Sequence, residues 1–128
     1  MKLLFDTHTI LWLVNEPQKL SNTVQSLYLD KKNDIYLSDV SIWEIAIKSS
    51  SGKLHIEGPL KDFVKQHVRG NDINIYPIST EHFYKLVNLP YHHRDPFDRL
   101  LISQCLDEKM PILSADTILD QYGVRRIW

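Results

Sequence analysis

The sequence predicts an α/β domain in which a mostly parallel central sheet lies between helical layers, a three-layer α/β/α sandwich. Three observations predict it. Short apolar runs, each bounded by polar or turn residues, recur along the chain and read as buried strands. Longer stretches with helical spacing separate them. This strand–helix alternation persists from end to end, as parallel strands joined by crossover helices require. At 128 residues the chain is long enough for one core but not for two, so residues 1–128 read as one domain.

The elements follow in order. "KLLF" is the first strand, with Asp6 at its carboxyl end, and a helix from Thr7 to about Val14 ends at "NEP". "SNTVQSLYLDKKN" is a helix with Ser21 as N-cap; Val24, Leu27 and Tyr28 share one face. "DIYLSDV" is the second strand. "VSIWEIAIK", with its Glu and Ala, is a helix that runs into a serine-glycine loop at 49–52. "GPLKDFVKQHVRGN" is a helix with Pro59 near its start and Gly70 at its end. "INIYPIS" is a third strand that Pro77 confines to an edge or an end. "STEHFYKLVNLP" is a helix. "RDPFDRLLISQCLDEKM" is another, with Pro96 early and Leu100, Leu101, Gln104 and Cys105 at helical spacing. "PILSAD" is the fourth strand, "TILDQYG" a short helix closed by Gly123, and "VRRIW" the last strand.

Composition narrows the function classes. Hydrophobic residues make up 43% and charged residues 24%, which fits a folded, soluble chain. A formal net charge of −1 supplies no global basic field, so a nucleic-acid partner requires local cations or bound metal. Cys105 is the only cysteine, which excludes an internal disulfide and favours a cytoplasmic setting. Asp6, Thr7 and His8 interrupt the amino-terminal apolar stretch too early for a signal peptide, and no run approaches a membrane span. There is no G-x-S-x-G, Walker A or G-x-G-x-x-G motif.

What remains is a set of carboxylates in apolar surroundings. Asp6 follows the first strand and Asp116 the fourth, and in open α/β sheets sites form outside the carboxyl ends of strands. Glu44 lies in "SIWEIAIK" and Asp98 in "DPFDRLL", both flanked by apolar residues. Each has an ordinary alternative. Asp6 and Asp116 suit helix N-caps, Glu44 a solvent-facing helical position, and Asp98 the acid-favouring first turn. Four converging acids differ from one. Their repulsion calls for compensation, and oxygen ligands without cysteine suit Mg²⁺ or Mn²⁺, the cations used to activate water against phosphodiesters. Lys48, Lys53, Arg94 and Arg99 adjoin the acidic stretches and are candidates to position a substrate. His92 and His93 are adjacent, so their side chains diverge, and without an H-x-x-x-H partner no zinc site is expected there. Cys105 reads as core.

With "LLFDTHTILWLV", "SIWEIAIKSSSGKL", "HRDPFDRLLISQ" and "ILSADTILDQYGV" in this order, the chain resembles PIN domains, and among them VapC-like toxins of type II toxin–antitoxin pairs. The resemblance covers nearly the whole chain and implies the PIN-like sandwich. It implies a Mg²⁺- or Mn²⁺-dependent ribonuclease with Asp6, Glu44 and Asp98 as central acids and Asp116 as the fourth. Thr7 and Ser114 neighbour that site as candidates to bond a carboxylate or a water on the cation, and Asp95 is an extra acid that assists or orients the loop. With Lys48 and Arg99, Thr7 and Ser114 form the candidate substrate-binding set. The resemblance also implies a homodimer silenced by an antitoxin. Two other readings stay open: a catalytically weak protein-binding module, and a metal-dependent phosphatase of small molecules. "DTHT" is close to the D-x-D-x-T box of haloacid-dehalogenase-like phosphatases, but His8 stands where that box has its second aspartate.

Overall fold

The computed structural model describes residues 1–128. Its frame is a five-stranded, all-parallel sheet in the order β3-β2-β1-β4-β5. The strands are β1 (Lys2–Phe5), β2 (Asp34–Ser38), β3 (Asn74–Tyr76), β4 (Ile112–Leu113) and β5 (Arg126–Ile127). The helices are α1 (Thr7–Asn15), α2 (Asn22–Leu29), α3 (Asp39–Ser50), α4 (Leu60–Phe63), α5 (Thr80–Val87) and α6 (Pro96–Glu108), with a short 3₁₀ helix over Thr117–Tyr122 before β5. None is long and apolar enough to cross a membrane.

Alternation along the central strands explains the layers. Leu3 and Phe5 of β1, Ile35 and Leu37 of β2 and Leu113 of β4 point to one face. There they meet Ile10 of α1, Val24 of α2, Ile45 of α3 and Phe63 of α4. Leu4 and Ile112 point to the other face, against Leu100, Leu101 and Cys105 of α6. A strand covered on both faces has no solvent side, which is why "KLLF" is continuously apolar after Lys2. The edges, β3 and β5, are only three and two residues long, which limits the unpaired backbone they present. Pro77, without an N–H, follows β3 directly.

Two predicted boundaries shift. α3 continues through Ser50, so the loop begins at Ser51 and turns at Gly52, whose φ is +78°. Beyond Phe63 the predicted helix to Gly70 becomes a wide π turn over Val64–Val68, then a 3₁₀ turn over Arg69–Asn71, and reverses at Asp72 with φ 57°. Gly70 is needed for close approach rather than as the terminator: a Cβ there would lie 3.2 Å from the Lys65 carbonyl oxygen.

α6 ends at Lys109 in the left-handed region, φ 52°, with its N–H on the Cys105 carbonyl. A side chain there costs about 1–2 kcal/mol that glycine avoids. Lys109→Gly is therefore expected to stabilise the fold by about 1 kcal/mol, read as a higher melting temperature; a lower one contradicts this account of the helix end.

Candidate active site

The order of the strands reverses between β1 and β4: the chain moves outward through β2 and β3, then returns to the other side of β1. Such a reversal opens a crevice at the carboxyl ends of the two strands. Asp6 follows β1 into it, and Ser114 follows β4.

Asp6 is buried, 7% exposed. Its Oδ1 accepts the Thr9 N–H at 2.8 Å and so caps α1. The Thr9 hydroxyl lies 2.9 Å from the same oxygen and 2.7 Å from the Leu113 carbonyl, tying α1 to β4. Asp6 Oδ2 accepts the Ser114 hydroxyl, whose oxygen in turn accepts the Asp116 N–H at 3.1 Å. Burial raises the Asp6 carboxyl above its ordinary range, and the bonds from Ser114 and Thr9 oppose that rise.

Glu44 sits in α3, capped at its start by Ser38. It is 3% exposed. Its Oε2 meets Lys48 Nζ, one turn on, at 2.5 Å. Its Oε1 is buried and has no hydrogen-bond partner. An acceptor in that condition costs free energy unless something else binds it.

α6 brings the third acid. Asp95 is its N-cap, accepting the N–H groups of Phe97 at 2.8 Å and Asp98 at 3.1 Å, with Pro96 in the first turn. Phe97 packs edge-on against Trp43 of α3, ring centroids 4.6 Å apart, which holds the Glu44 and Asp98 helices together. Burial and the neighbouring charge of Asp95 push the Asp98 carboxyl up to about 7, with smaller contributions from Glu44 and Asp6; His93 pulls the other way. Asp116 caps the 3₁₀ helix through Oδ1, which accepts the Ile118 N–H at 3.0 Å. Its Oδ2 lies 3.0 Å from His93 Nε2, and that same nitrogen is 3.1 Å from Asp98 Oδ2.

Asp98 and Asp116 are brought together at His93, while Asp6 and Glu44 lie near enough for their charges to act on Asp98 but outside that close group. Three carboxylates, Asp6, Asp95 and Asp116, cap helices as well. The predicted polar neighbours are placed differently. Ser114 is fully buried and holds Asp6, so it has no access to a substrate. The Thr7 hydroxyl donates to Ser41 Oγ at 3.0 Å, joining α1 to α3, rather than to a site carboxylate. Lys48 is bound to Glu44, and this raises its own pKa. With Thr7, His8, Glu44 and Lys53 it lines a cleft of about 160 Å³. Arg99 corrects the sequence reading. It is 6% exposed, and its guanidinium donates to the carbonyls of Pro90 at 2.8 Å and Leu89 at 3.1 Å beneath the Tyr91 ring. It holds the loop before α6 and cannot also bind a phosphate. Arg94 and Lys53 are the exposed candidates. His93, set aside in the sequence, lies between two acids. Only its place in the loop entering the acid-bearing helix hinted at this.

Two other features lie elsewhere. The largest cavity, about 540 Å³, opens at the amino ends of the strands between Lys2, Tyr76, Lys109 and Arg125, away from the acids. His82, Asp107 and Glu108 also cluster. His82 Nδ1 accepts the Ser79 N–H at 3.0 Å, which leaves the proton on Nε2, 2.9 Å from Glu108 Oε1. With no free ring lone pair, that group ties α5 to α6 and is not a metal site.

The chain matches the PIN domain family over residues 3–124. No curated protein matches it in sequence. Among solved structures it is similar to a chain of the VapBC2 complex from Rickettsia felis bound to a DNA fragment from its promoter. That match has a TM-score of 0.74 at 13% identity and covers 99% of this chain and 98% of the other. It is similar to a chain of FitAcB from Neisseria gonorrhoeae, with a TM-score of 0.64 at 15% identity, over 98% and 96% of the two chains. A chain of FitAB bound to the IR36 DNA fragment gives 0.63 at 16% identity, over 98% and 93%.

Two expectations follow from the site. Asparagine can cap a helix as aspartate does but carries no charge, whereas loss of the cap costs about 1 kcal/mol. In metal-free protein Asp6→Asn should thus melt at or above the wild-type temperature and Asp6→Ala below it; equal losses in both would remove the charge argument. The second concerns pH. A folded Asp98 titrating at about 7 against an ordinary 3.8 keeps its proton more tightly than the unfolded chain does. The stability this confers is complete below about 4 and is lost as pH rises toward 7. Metal-free protein should melt lower at pH 8 than at pH 5, and Asp98→Asn should narrow that gap; an unchanged gap contradicts the assignment.

Proposed function

The chain belongs to the PIN domain family, and from that premise we propose that it is a divalent-metal-dependent endoribonuclease, the toxin of a type II toxin–antitoxin pair. One observation carries the metal reading. Glu44 Oε1 is buried without a partner, and the Glu44 charge acts on Asp98, whose carboxyl burial raises as it does that of Asp6. A hard cation satisfies that oxygen and relieves the crowding of charge in one step, and an all-oxygen donor set suits Mg²⁺ or Mn²⁺. Asp6, Glu44, Asp98 and Asp116 are the residues that would hold it. When bound, such a cation supplies Lewis acidity toward water and the phosphodiester.

The chain's own groups do the rest. Thr9 and Ser114 fix both oxygens of Asp6. Lys48 turns Glu44 so that Oε2 is engaged and Oε1 stays free. Asp95 sets the first turn of α6 and thereby the position of Asp98. Lys53 lines the cleft beside Glu44 and exposed Arg94 follows His93 in the chain, where they can steer a phosphate backbone that the acids alone would repel. In-line attack by water leaves 5′-phosphate and 3′-hydroxyl ends.

The toxin reading draws on the VapBC2 and FitAB relatives, which are complexes of two proteins. In this reading the chain works in the cytoplasm as a homodimer and is silenced by a small antitoxin that places an Arg or Lys among the acids. Trp43, about half exposed beside Phe97, is available to such a partner, whereas Trp12 packs edge-on against Trp128 at 5.6 Å.

Purified protein should cleave RNA with Mg²⁺ or Mn²⁺, stop in EDTA and release no phosphate from small esters. Glu44→Gln should lower the rate by roughly 10²-fold or more, since the Lewis-acid contribution is several kcal/mol and about 1.36 kcal/mol is tenfold. Undiminished cleavage by metal-free protein would overturn the mechanism. Co-expression with the adjacent gene tests the partner: its product should co-purify and block cleavage until removed.

A further inference from the structure

His93 lies in the segment that leads into α6, and its surroundings fix its ring. The backbone N–H of His93 donates to the Tyr122 hydroxyl at 2.6 Å, and its carbonyl lies 3.4 Å from the Arg99 guanidinium. Its Nδ1 accepts the Asp95 N–H at 3.2 Å. A ring nitrogen that accepts a hydrogen bond carries no proton, so this bond assigns the proton of the imidazole to Nε2. Nε2 is the nitrogen that lies 3.1 Å from Asp98 Oδ2 and 3.0 Å from Asp116 Oδ2. His93, Asp98 and Asp116 could be taken for a three-ligand metal group, since their ligand atoms all lie within 4.8 Å of one another. The tautomer argues otherwise: a protonated Nε2 has no lone pair for a cation, and the one that Nδ1 has is taken by Asp95.

We infer that His93 is a positioning residue and not a ligand. Its Nε2–H bonds to Asp116 Oδ2, and Asp98 Oδ2 lies 3.1 Å from the same nitrogen. It holds together two carboxylates that would otherwise repel, and it leaves Asp98 Oδ1 outside the bridge, free for the cation. The inference rests on the reading of the acids as a divalent-metal site. Its chemistry is that of outer-sphere partners generally, whose loss costs about 10–100-fold in metal affinity. The two acids come from separate elements, α6 and the 3₁₀ helix after β4. No other donor bridges them, so the ring also sets their spacing.

The test uses the full chain, Mn²⁺ as probe, and two variants. Glutamine can place an N–H near the position of Nε2, whereas the amide of asparagine stops near Nδ1 and does not reach the acids. Free Mn²⁺ is followed by its EPR signal during titration, and melting temperatures in EDTA report on the fold. His93→Asn is expected to bind Mn²⁺ about 10–100-fold more weakly than wild type, and His93→Gln to recover most of that loss. Pulsed EPR of the Mn²⁺-loaded wild type is expected to show no directly coordinated nitrogen. A coordinated nitrogen that disappears in His93→Asn overturns the inference, because the ring is then a ligand. Unchanged affinity in His93→Asn, with or without a lower melting temperature, overturns it as well, because the ring is then merely structural. A wild-type chain that binds no Mn²⁺ is a separate result: it overturns the metal reading itself and the inference with it.

Discussion

The constraint on which the rest depends is the gathering of carboxylates at the carboxyl ends of β1 and β4. Burial, and after it the like charge of Asp95, raise the Asp98 carboxyl, which records the cost of this gathering. The fold tolerates this for a geometric reason. In a parallel sheet with crossover helices, each helix that follows a strand begins at the carboxyl edge. The N–H groups at the starts of α1 and the 3₁₀ helix, which follow β1 and β4, therefore point toward the crevice. α6 follows α5 and a loop that returns the chain to the same edge. Asp6, Asp116 and Asp95 accept the N–H groups of the three helices. Asp6 and Asp116 each cap through Oδ1 and make their other contact through Oδ2, so capping a helix and facing the crevice are compatible in one side chain.

Around that edge each acid has its own donor, supplied from a different part of the chain. Ser114 serves Asp6, Lys48 serves Glu44, and His93 serves Asp116, with Asp98 Oδ2 3.1 Å from the same ring nitrogen. Arg99 stands behind His93. Its guanidinium collects the carbonyls of the preceding loop, which would otherwise be unpaired, and Tyr91 covers its face. A lysine could not make this set of bonds, because it lacks the planar fork. Among the carboxylate oxygens, Glu44 Oε1 stands out as the one that is buried without a partner.

The sequence by itself determined the alternation of strands and helices, the apolar burial of β1, and which acids sit where strands end or helices begin. These are local properties: periodicity, N-cap chemistry and composition act over a few residues. The Glu44–Lys48 spacing of four belongs with them. Tertiary structure decided what no local pattern carries. It set the strand order that puts β4 beside β1 and makes the crevice. It joined Ser114 to Asp6, 108 residues away, and His93 to Asp116, 23 residues away. It also turned Arg99 inward, since a cation beside an acidic stretch reads as a substrate contact until the carbonyls that capture it are in place. The physical reason is common to all three. A hydrogen-bonding side chain takes the partners that the folded chain brings within about 3 Å, and those partners are selected by the packing of the sheet rather than by their neighbours in sequence.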